Sequence, residues 1–216
     1  MTTRGRQAEA GKSVLTAANA LTRRVNSGRL ESDAKAAYYP VHAADRSIVL
    51  IGFMGTGKSS VGRRLAQATG WPRFDTDQMI ATALGMSITK IFARLGEEEF
   101  REEESIVLEK IDTDKPAIIV TGGGVVLRPR NVMRLHELGT IVCLTANLPT
   151  LLRRLARRSH RPLLETEDRA ATVQTLLRER QPLYEQTADI TVDTSSLSHD
   201  QVAQSIQDSL ALSHKN

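Results

Sequence analysis

The sequence predicts an α/β protein in which a five-stranded parallel sheet lies between two layers of helices. Three observations lead to this fold class. From residue 47 onward, short apolar runs alternate with stretches of helical periodicity, the pattern of strand–helix units that build parallel sheets. The run SIVLI at 47–51 has no polar face, as expected of a central strand covered on both sides. A glycine-rich turn then joins this strand directly to a helix.

The remaining elements follow in order along the chain. The helix after the first strand has Val61, Leu65 and Ala68 at helical spacing, and it ends at Gly70. Pro149 stands where proline is tolerated, at the start of a helix. We expect strands at 47–51, 71–74, 117–120, 140–145 and 188–193, and helices at 58–69, 78–84, 88–95, 97–111, 130–138, 149–158, 168–181 and 198–213.

The bulk composition is that of a globular protein. Hydrophobic residues make up 40% of the 216 residues and charged residues 25%. No apolar run approaches the length of about 18 residues that a transmembrane helix needs, so we expect no membrane association. The single cysteine, Cys143, lies in an apolar run and cannot form an internal disulfide.

The net charge of +4 lies entirely in residues 1–46, which hold eight Lys/Arg and four Asp/Glu. The remaining 170 residues hold 21 residues of each sign and have no net attraction for polyanions. We therefore expect no nucleic-acid partner.

Residues 1–46 form a separate N-terminal extension that precedes a domain at 47–216. The extension is rich in Ala, Arg, Ser and Thr and poor in large apolar residues, so we expect it to be disordered. An Arg-rich leader of this kind also resembles an organelle transit peptide. We expect a cytoplasmic protein, with an organelle as the alternative if the extension is a transit peptide.

The segment GFMGTGKS at 52–59 matches the phosphate-binding pattern G-x-x-x-x-G-K-[ST], which we call the Walker loop. Glycines allow consecutive backbone N–H groups to turn toward a phosphate, and the following helix adds its positive N-terminal end. Lys58 would reach the β- and γ-phosphates, and Ser59 would offer its hydroxyl to Mg²⁺. The loop predicts binding of a nucleoside triphosphate with Mg²⁺, and leaves open a GTPase, a motor ATPase or a small-molecule kinase.

Two missing motifs and two aspartates narrow the class of nucleotide-binding protein. Neither the strand ending at Val120 nor the strand ending near Thr145 is followed by the metal-binding aspartate of most P-loop ATPases, and the sequence has no N-K-x-D. Asp75 and Asp77 follow the second strand instead, at the sheet edge that the Walker loop shares. They could divide between a metal and a substrate hydroxyl, or simply cap the next helix.

Two groups of arginines allow a functional and a plain structural interpretation. Arg101 stands among glutamates, where Glu97 and Glu104 at helical spacing could orient it into a cleft; the alternative is a solvated helix face. The segment LLRRLARRSHRPLL at 151–164 could be a lid that neutralises phosphate charge, or a helix with a solvated basic face. The solvated face would comprise some of Arg153, Arg154, Arg157 and Arg158.

Residues 47–193 resemble the shikimate kinase family of P-loop kinases, which is related in fold to the nucleoside monophosphate kinases. The resemblance lies in six motifs in the family's order: GFMGTGKSS, FDTDQMI, GEEEFR, TGGGVV, RPLL and RERQPLYEQTAD. It implies transfer of the ATP γ-phosphate, with Mg²⁺, to the 3-hydroxyl of shikimate in aromatic amino-acid biosynthesis. It also implies a mobile lid at about 158–167, an acceptor-binding helical segment and, in our expectation, a monomer.

The same resemblance implies roles for individual residues. Lys58, Asp77 and Arg161 would be catalytic, with Asp77 orienting or deprotonating the attacking hydroxyl. ATP would contact Gly55, Thr56, Gly57, Lys58, Ser59, Ser60 and Arg161. Shikimate would contact Asp77, Arg101, Gly122, Gly123, Gly124, Arg180, Phe92 and Phe100. Mg²⁺ would be held by Ser59 and, through water, by Asp75.

Two further points follow from the motif positions. With Gly123 placed closest to the acceptor, Gly123→Ala is expected to weaken acceptor binding more than ATP binding. Whether Arg157 or Arg158 stacks on adenine is left open. The competing interpretations are a kinase for another polyol acid such as gluconate and a catalytically silent kinase-like module.

Overall fold

The computed structural model describes residues 46–112, 114–156 and 168–213, and within them it forms the predicted sheet. All pairings are parallel, and the strand order is β2-β3-β1-β4-β5. The predicted fold class is confirmed, with strand bounds that differ by a residue or two. The strands are β1 (Ser47–Ile51), β2 (Arg73–Asp75), β3 (Ile118–Val120), β4 (Gly139–Thr145) and β5 (Ile190–Asp193).

Strand β1 lies at the centre of the sheet, and all five of its residues are buried. Leu50 pairs with Val120 of β3 on one side and with Val142 of β4 on the other. Since parallel strands end at the same edge, the loops that follow β1 and β3 leave the sheet side by side. This adjacency places the Walker loop beside the glycine run at 122–124.

Seven α-helices and one 3₁₀ turn, Val125–Leu127, are formed by the described residues. The predicted helices at 88–95 and 97–111 form one element with a break at Gly96, which has φ 86° and ψ 175°. The helices are α1 (Lys58–Thr69), α2 (Thr76–Ala83), α3 (Ile88–Glu109), α4 (Pro129–Leu138), α5 (Leu148–Ala156), α6 (Arg169–Thr187) and α7 (His199–Ser213).

The predicted end of α6 at residue 181 is wrong, because the helix continues through Pro182 to Thr187. A proline inside a helix removes one hydrogen bond and costs about 3 kcal/mol. The turn beyond the proline is held by tertiary packing, since Tyr184 and Thr187 are both buried. The extension places Tyr184 one turn after Arg180, on the same face of the helix.

The sheet separates two apolar layers. Alternate strand residues, such as Val49 and Ile51, face a core shared with helices α4, α5 and α6. Ile48 and Leu50 face the opposite core, which includes Val61 of α1 and residues of α7. A third, smaller cluster lies between α2 and α3. It consists of Ile80, Ile91, Phe100 and Val107.

No single helix within the described ranges is long and apolar enough to cross a membrane. Helices Thr76–Ala83 and Ile88–Glu109 reach the required length and composition only as a pair, and they are bent by 91° relative to each other.

Candidate active site

The Walker loop owes its shape to glycines in conformations that other residues rarely adopt. Gly52, Gly55 and Gly57 have φ of 129°, 87° and 100°, all in the left-handed half of the Ramachandran map. A Cβ on Gly52 would also lie 2.2 Å from the carbonyl oxygen of Leu144. The loop leads into α1 at Lys58, so the helix N-terminus faces the space that the loop encloses.

Lys58 folds back over this loop. Its Nζ donates to the carbonyl oxygens of Gly52 at 2.6 Å and Phe53 at 3.1 Å. The side chain is nearly buried, although it still lines the cavity above the loop. The ammonium group is therefore already held where a phosphate oxygen can replace a carbonyl as its partner.

A cavity above the Walker loop brings together most of the residues predicted to contact ATP. Two are not in the lining: Arg161 lies outside the described residues, and the Thr56 side chain is buried and donates to the Phe53 carbonyl at 2.8 Å. The cavity is lined by Gly55, Gly57, Lys58, Ser59 and Ser60, together with Met54, Asp77, Thr121, Gly123, Arg154, Leu197, Ser198, His199 and Asp200.

Arg154 lines the cavity above the Walker loop, although the sequence interpretation left it open between a lid and a solvated helix face. Its guanidinium donates to the carbonyl of Gly55 at 3.3 Å and, at 2.9 and 2.6 Å, to the hydroxyl and carbonyl of Thr194. Helix α5 is thereby tied to the Walker loop and to the loop after β5. The sequence gives one indication of this placement: Arg154 lies three residues after Leu151 and next to Leu155, and both leucines are buried in the structure.

The structure separates the two aspartates that follow β2. Asp77 lines both the nucleotide cavity and a second, neighbouring cavity. The Asp75 carboxylate instead caps α2 by accepting from Gln78 N at 3.4 Å and binds Arg73 at 2.9 Å. It lines a different groove, which also contains Lys110. The predicted water-mediated contact of Asp75 with Mg²⁺ stays a prediction; here its two oxygens bond to Gln78 N and to Arg73.

All eight residues predicted to contact the acceptor line the second cavity. This acceptor cavity lies next to the nucleotide cavity, and Met54, Asp77 and Gly123 line both. The rings of Phe92 and Phe100 pack with their centroids 4.6 Å apart and form an apolar wall. The full lining is Met54, Asp77, Ile88, Phe92, Phe100, Arg101, Gly122, Gly123, Gly124 and Arg180.

Arg101 is held by the two glutamates that the spacing indicated. It donates to Glu97 at 2.8 Å and to Glu104 at 3.1 Å, and its guanidinium lies 5.2 Å from the ring centroid of Phe100. Glu104 is fully buried. Burial raises the pKa of Glu104 to about 7; the Arg101 charge opposes the shift and the Asp77 charge adds to it. One of the two carboxyl groups that hold Arg101 thus has a pKa near neutral.

The three glycines after β3 are required for space rather than for backbone conformation, since none of them has a positive φ. A Cβ on Gly122 would lie 2.5 Å from Glu104 Oε1 and 2.8 Å from Asp77 Oδ1. A Cβ on Gly124 would lie 2.2 Å from Arg101 Cζ. The run therefore lets buried charged side chains approach the backbone.

The expectation that a side chain on Gly123 would enter acceptor space is corrected by the geometry. A Cβ there would meet the backbone of the Walker loop, with Met54 N at 3.3 Å and Gly52 O at 3.6 Å. The two glycine loops are thus in direct contact at Gly123. Its carbonyl faces α6 and accepts a hydrogen bond from Arg180 Nη1 at 3.3 Å.

Several predictions lie outside the described residues. They are the extension before residue 46, the lid at 158–167 with Arg161, and Arg157 and Arg158 as candidates for the adenine contact.

Comparison with known proteins places the chain in a family. The family model for shikimate kinase matches residues 54–211. The chain belongs to the shikimate kinase family. It is 44% identical over 161 residues to the shikimate kinase of Thermodesulfovibrio yellowstonii, covering 74% of this chain and 92% of that protein. It is 43% identical over 170 residues to the shikimate kinase of Thioalkalivibrio sulfidiphilus, covering 79% and 90%.

Solved structures of shikimate kinases share the fold. The shikimate kinase of Acinetobacter baumannii in complex with shikimate superposes with a TM-score of 0.75 at 35% identity, covering 80% of this chain and 96% of that chain. A gluconokinase from Sinorhizobium meliloti superposes with a TM-score of 0.51 at 20% identity. The gluconokinase similarity shows a common fold only.

Proposed function

We propose that the protein transfers the γ-phosphate of ATP to the 3-hydroxyl of shikimate, giving shikimate 3-phosphate and ADP. The observation that carries the proposal is the acceptor cavity, in which Arg101 and Arg180 line the same space as the Asp77 carboxylate. Shikimate carries one carboxylate and three hydroxyls. Two guanidinium groups suit the carboxylate, and a carboxylate acceptor suits the hydroxyls.

The chain's residues would divide the reaction between the two cavities. The Walker loop and Lys58 would hold the β- and γ-phosphates and neutralise the charge that develops during transfer. Asp77 lines both cavities and would accept the proton of the attacking hydroxyl while orienting its oxygen toward the γ-phosphate. The Phe92–Phe100 wall would exclude water from the acceptor side.

Mg²⁺ fits the nucleotide cavity because Ser59 and Asp77 supply oxygen atoms there. The part of the chain that the structure describes contains no cluster of three or more His, Cys, Asp or Glu residues that could bind a metal by itself. We therefore propose that Ser59 holds the ion together with nucleotide oxygens and water. When bound, Mg²⁺ neutralises phosphate charge. Arg161 and a lid at 158–167 would contribute further positive charge.

Arg154 would form part of the nucleotide site. It lines the cavity above the Walker loop together with Leu197 and His199. We propose that this region receives the nucleoside. Arg154 is placed there by its bonds to Gly55 and Thr194, which the charge pattern of the sequence did not indicate.

The test is an assay of ADP release against a panel of acceptors. Shikimate, quinate, gluconate and nucleoside monophosphates are supplied at equal concentrations with ATP and Mg²⁺. We expect turnover with shikimate to exceed that with every other acceptor. Preference for gluconate would instead establish the competing kinase, and no turnover with any acceptor would favour the catalytically silent module.

We also propose that the protein acts as a cytoplasmic monomer. Size-exclusion chromatography with light scattering checks the monomer. Deletion of residues 1–45 should leave the activity unchanged. If the extension were instead a transit peptide, the same deletion would abolish organelle import.

A further inference from the structure

Helix α6 contacts the glycine run at 122–124, which we call the acceptor loop, through two side chains. Arg180 Nη1 donates to the carbonyl oxygen of Gly123, and the Tyr184 hydroxyl donates to the same oxygen. The two residues are four positions apart and lie on one face of the helix, and both are almost fully buried. A carbonyl oxygen has two lone pairs and can accept both bonds.

The acceptor loop needs anchors from outside because it has no side chains of its own. One end is fixed where Gly122 N donates to the Thr76 hydroxyl at 3.2 Å. The other end is fixed where the Gly124 carbonyl accepts from Leu127 N at 3.0 Å. Between these ends, the hydrogen bonds to Gly123 found within the described ranges come from α6. The middle of the loop is therefore fixed by this helix.

A hydrogen bond to the Gly123 carbonyl orients the whole peptide unit between Gly123 and Gly124. The peptide unit is planar and trans, so the direction of the Gly123 carbonyl also sets the direction of the Gly124 N–H on the opposite side. Glycine has little conformational preference of its own, and the unit could otherwise rotate. The bonds from α6 thus set which polar groups the loop presents in the acceptor cavity.

Arg180 and Tyr184 differ in the cavity that each of them lines. Arg180 lines the acceptor cavity and, under the proposed function, binds the carboxylate of shikimate. Tyr184 lines a separate cavity behind the loop, with Phe53 and Leu151. When the guanidinium of Arg180 turns toward a carboxylate, the tyrosine hydroxyl can keep its bond. Burial raises the pKa of Tyr184, so this hydroxyl remains a donor at every working pH.

We propose that Tyr184 is a positioning residue for the acceptor. Its hydroxyl holds the Gly123 carbonyl so that the loop keeps its shape while Arg180 binds the substrate carboxylate. This inference rests on the proposed function, because it assumes an anionic acceptor in that cavity.

The experiment compares Tyr184→Phe with Thr187→Val in the full chain. Both variants remove one buried hydroxyl from α6, but the Thr187 hydroxyl donates to Leu183 O within the helix at 2.7 Å and does not reach the loop. For Tyr184→Phe we expect KM and Kd for shikimate to rise about five- to tenfold, the usual effect of losing one hydrogen bond. KM for ATP should stay within about twofold of wild type, and Thr187→Val should leave both KM values within that range.

Three outcomes would overturn the inference. Unchanged shikimate affinity in Tyr184→Phe would show that Arg180 alone fixes the loop. An equal rise of both KM values would indicate a general structural role, as would the same change in Thr187→Val. Thermal unfolding of each variant checks that the fold is intact. If wild type does not phosphorylate shikimate at all, the proposed function fails; if only the variant comparison is flat, the positioning role alone fails.

Discussion

The two glycine loops of this protein use glycine for different physical reasons. In the Walker loop, Gly52, Gly55 and Gly57 adopt left-handed conformations, so the residue type is demanded by the backbone itself. In the acceptor loop, Gly122 and Gly124 leave room for buried carboxylates and for the guanidinium of Arg101. The first loop is therefore shaped from within, and the second is shaped by the side chains packed around it.

This difference has a consequence for specificity. A phosphate chain is common to many substrates, and a backbone cradle with one lysine recognises it without reference to neighbouring elements. The acceptor loop depends on side chains from α2, α3 and α6, each of which can change separately. The acceptor site is thus the more adjustable of the two, and the following predictions test that contrast.

The largest expected effect is at Asp77, which lines both cavities. Asp77→Asn removes the proton acceptor and should lower kcat about 10²- to 10⁴-fold while ATP affinity is kept. Steady-state kinetics and nucleotide titration measure the two quantities.

Asp75→Asn is the matched control, because Asp75 caps α2 and binds Arg73. Because asparagine caps helices as well as aspartate, only the ion pair with Arg73 is lost, and we expect stability to fall by less than about 1 kcal/mol and kcat to stay within a few fold of wild type. A large loss of kcat that excess Mg²⁺ restores would support the predicted metal contact of Asp75.

A pair of alanine substitutions tests the contrast between the loops directly. Gly57→Ala places a side chain at φ 100° and should raise KM for ATP tenfold or more, since such strain costs about 1–3 kcal/mol. Gly124→Ala has an ordinary φ but meets Arg101 Cζ, so it should raise KM for shikimate by about one to two orders of magnitude by displacing a charge-assisted contact. If each variant changed both KM values equally, the contrast between the loops would be lost.

The surroundings of the acceptor loop should respond to pH. The pKa of Glu104 is raised from 4.5 to about 7 in the folded protein, mainly by burial. Between these values the native state binds more protons than the unfolded state, so stability contributed by Glu104 falls as pH rises. Relative to Glu104→Gln, wild type should lose about 2–3 kcal/mol of unfolding free energy from pH 5 to pH 8.

Urea unfolding at both pH values measures this difference, and Glu99→Gln on the exposed face of α3 is the control. A constant difference between wild type and Glu104→Gln at pH 5 and pH 8 would contradict the raised pKa.

The smallest effect is expected where the two loops touch. Gly123→Ala places a Cβ 3.3 Å from Met54 N, a contact that the neighbouring backbone can relieve by a small shift. We expect KM to rise about two- to fivefold for ATP and shikimate alike, since overpacking of this size costs about 1 kcal/mol. An effect confined to shikimate would support the simpler view that Gly123 lies against the acceptor alone.

The sequence was sufficient to predict the sheet and the Walker loop from local patterns: buried strands lack polar residues, and the loop motif follows a strand and opens a helix. The residues that line the acceptor cavity were expected from the resemblance to the shikimate kinase family and not from a local pattern. The pairing of Arg101 with Glu97 and Glu104 was also predictable, because helical spacing alone brings them together.

What the sequence could not show depends on tertiary packing. Asp75 and Asp77 have the same side chain two positions apart, and only the fold directs one to Arg73 and the other to the cavities. Arg154 looks like any arginine on a basic helix until Thr194 is placed beside it. Tyr184 lies beyond the predicted end of α6 at residue 181, and tertiary packing carries the helix past Pro182.

The hydrogen bonding between β1 and β3 fixes where the two glycine loops begin relative to each other. Leu50 and Val120 are neighbours in the ladder, and Thr121 continues it by donating both its N–H and its hydroxyl to the Leu50 carbonyl. Donor and acceptor loops therefore begin one interstrand spacing apart, roughly 4.8 Å. Mutations around the acceptor can change which alcohol is bound, while the separation between the starts of the two loops is set by the backbone of the sheet.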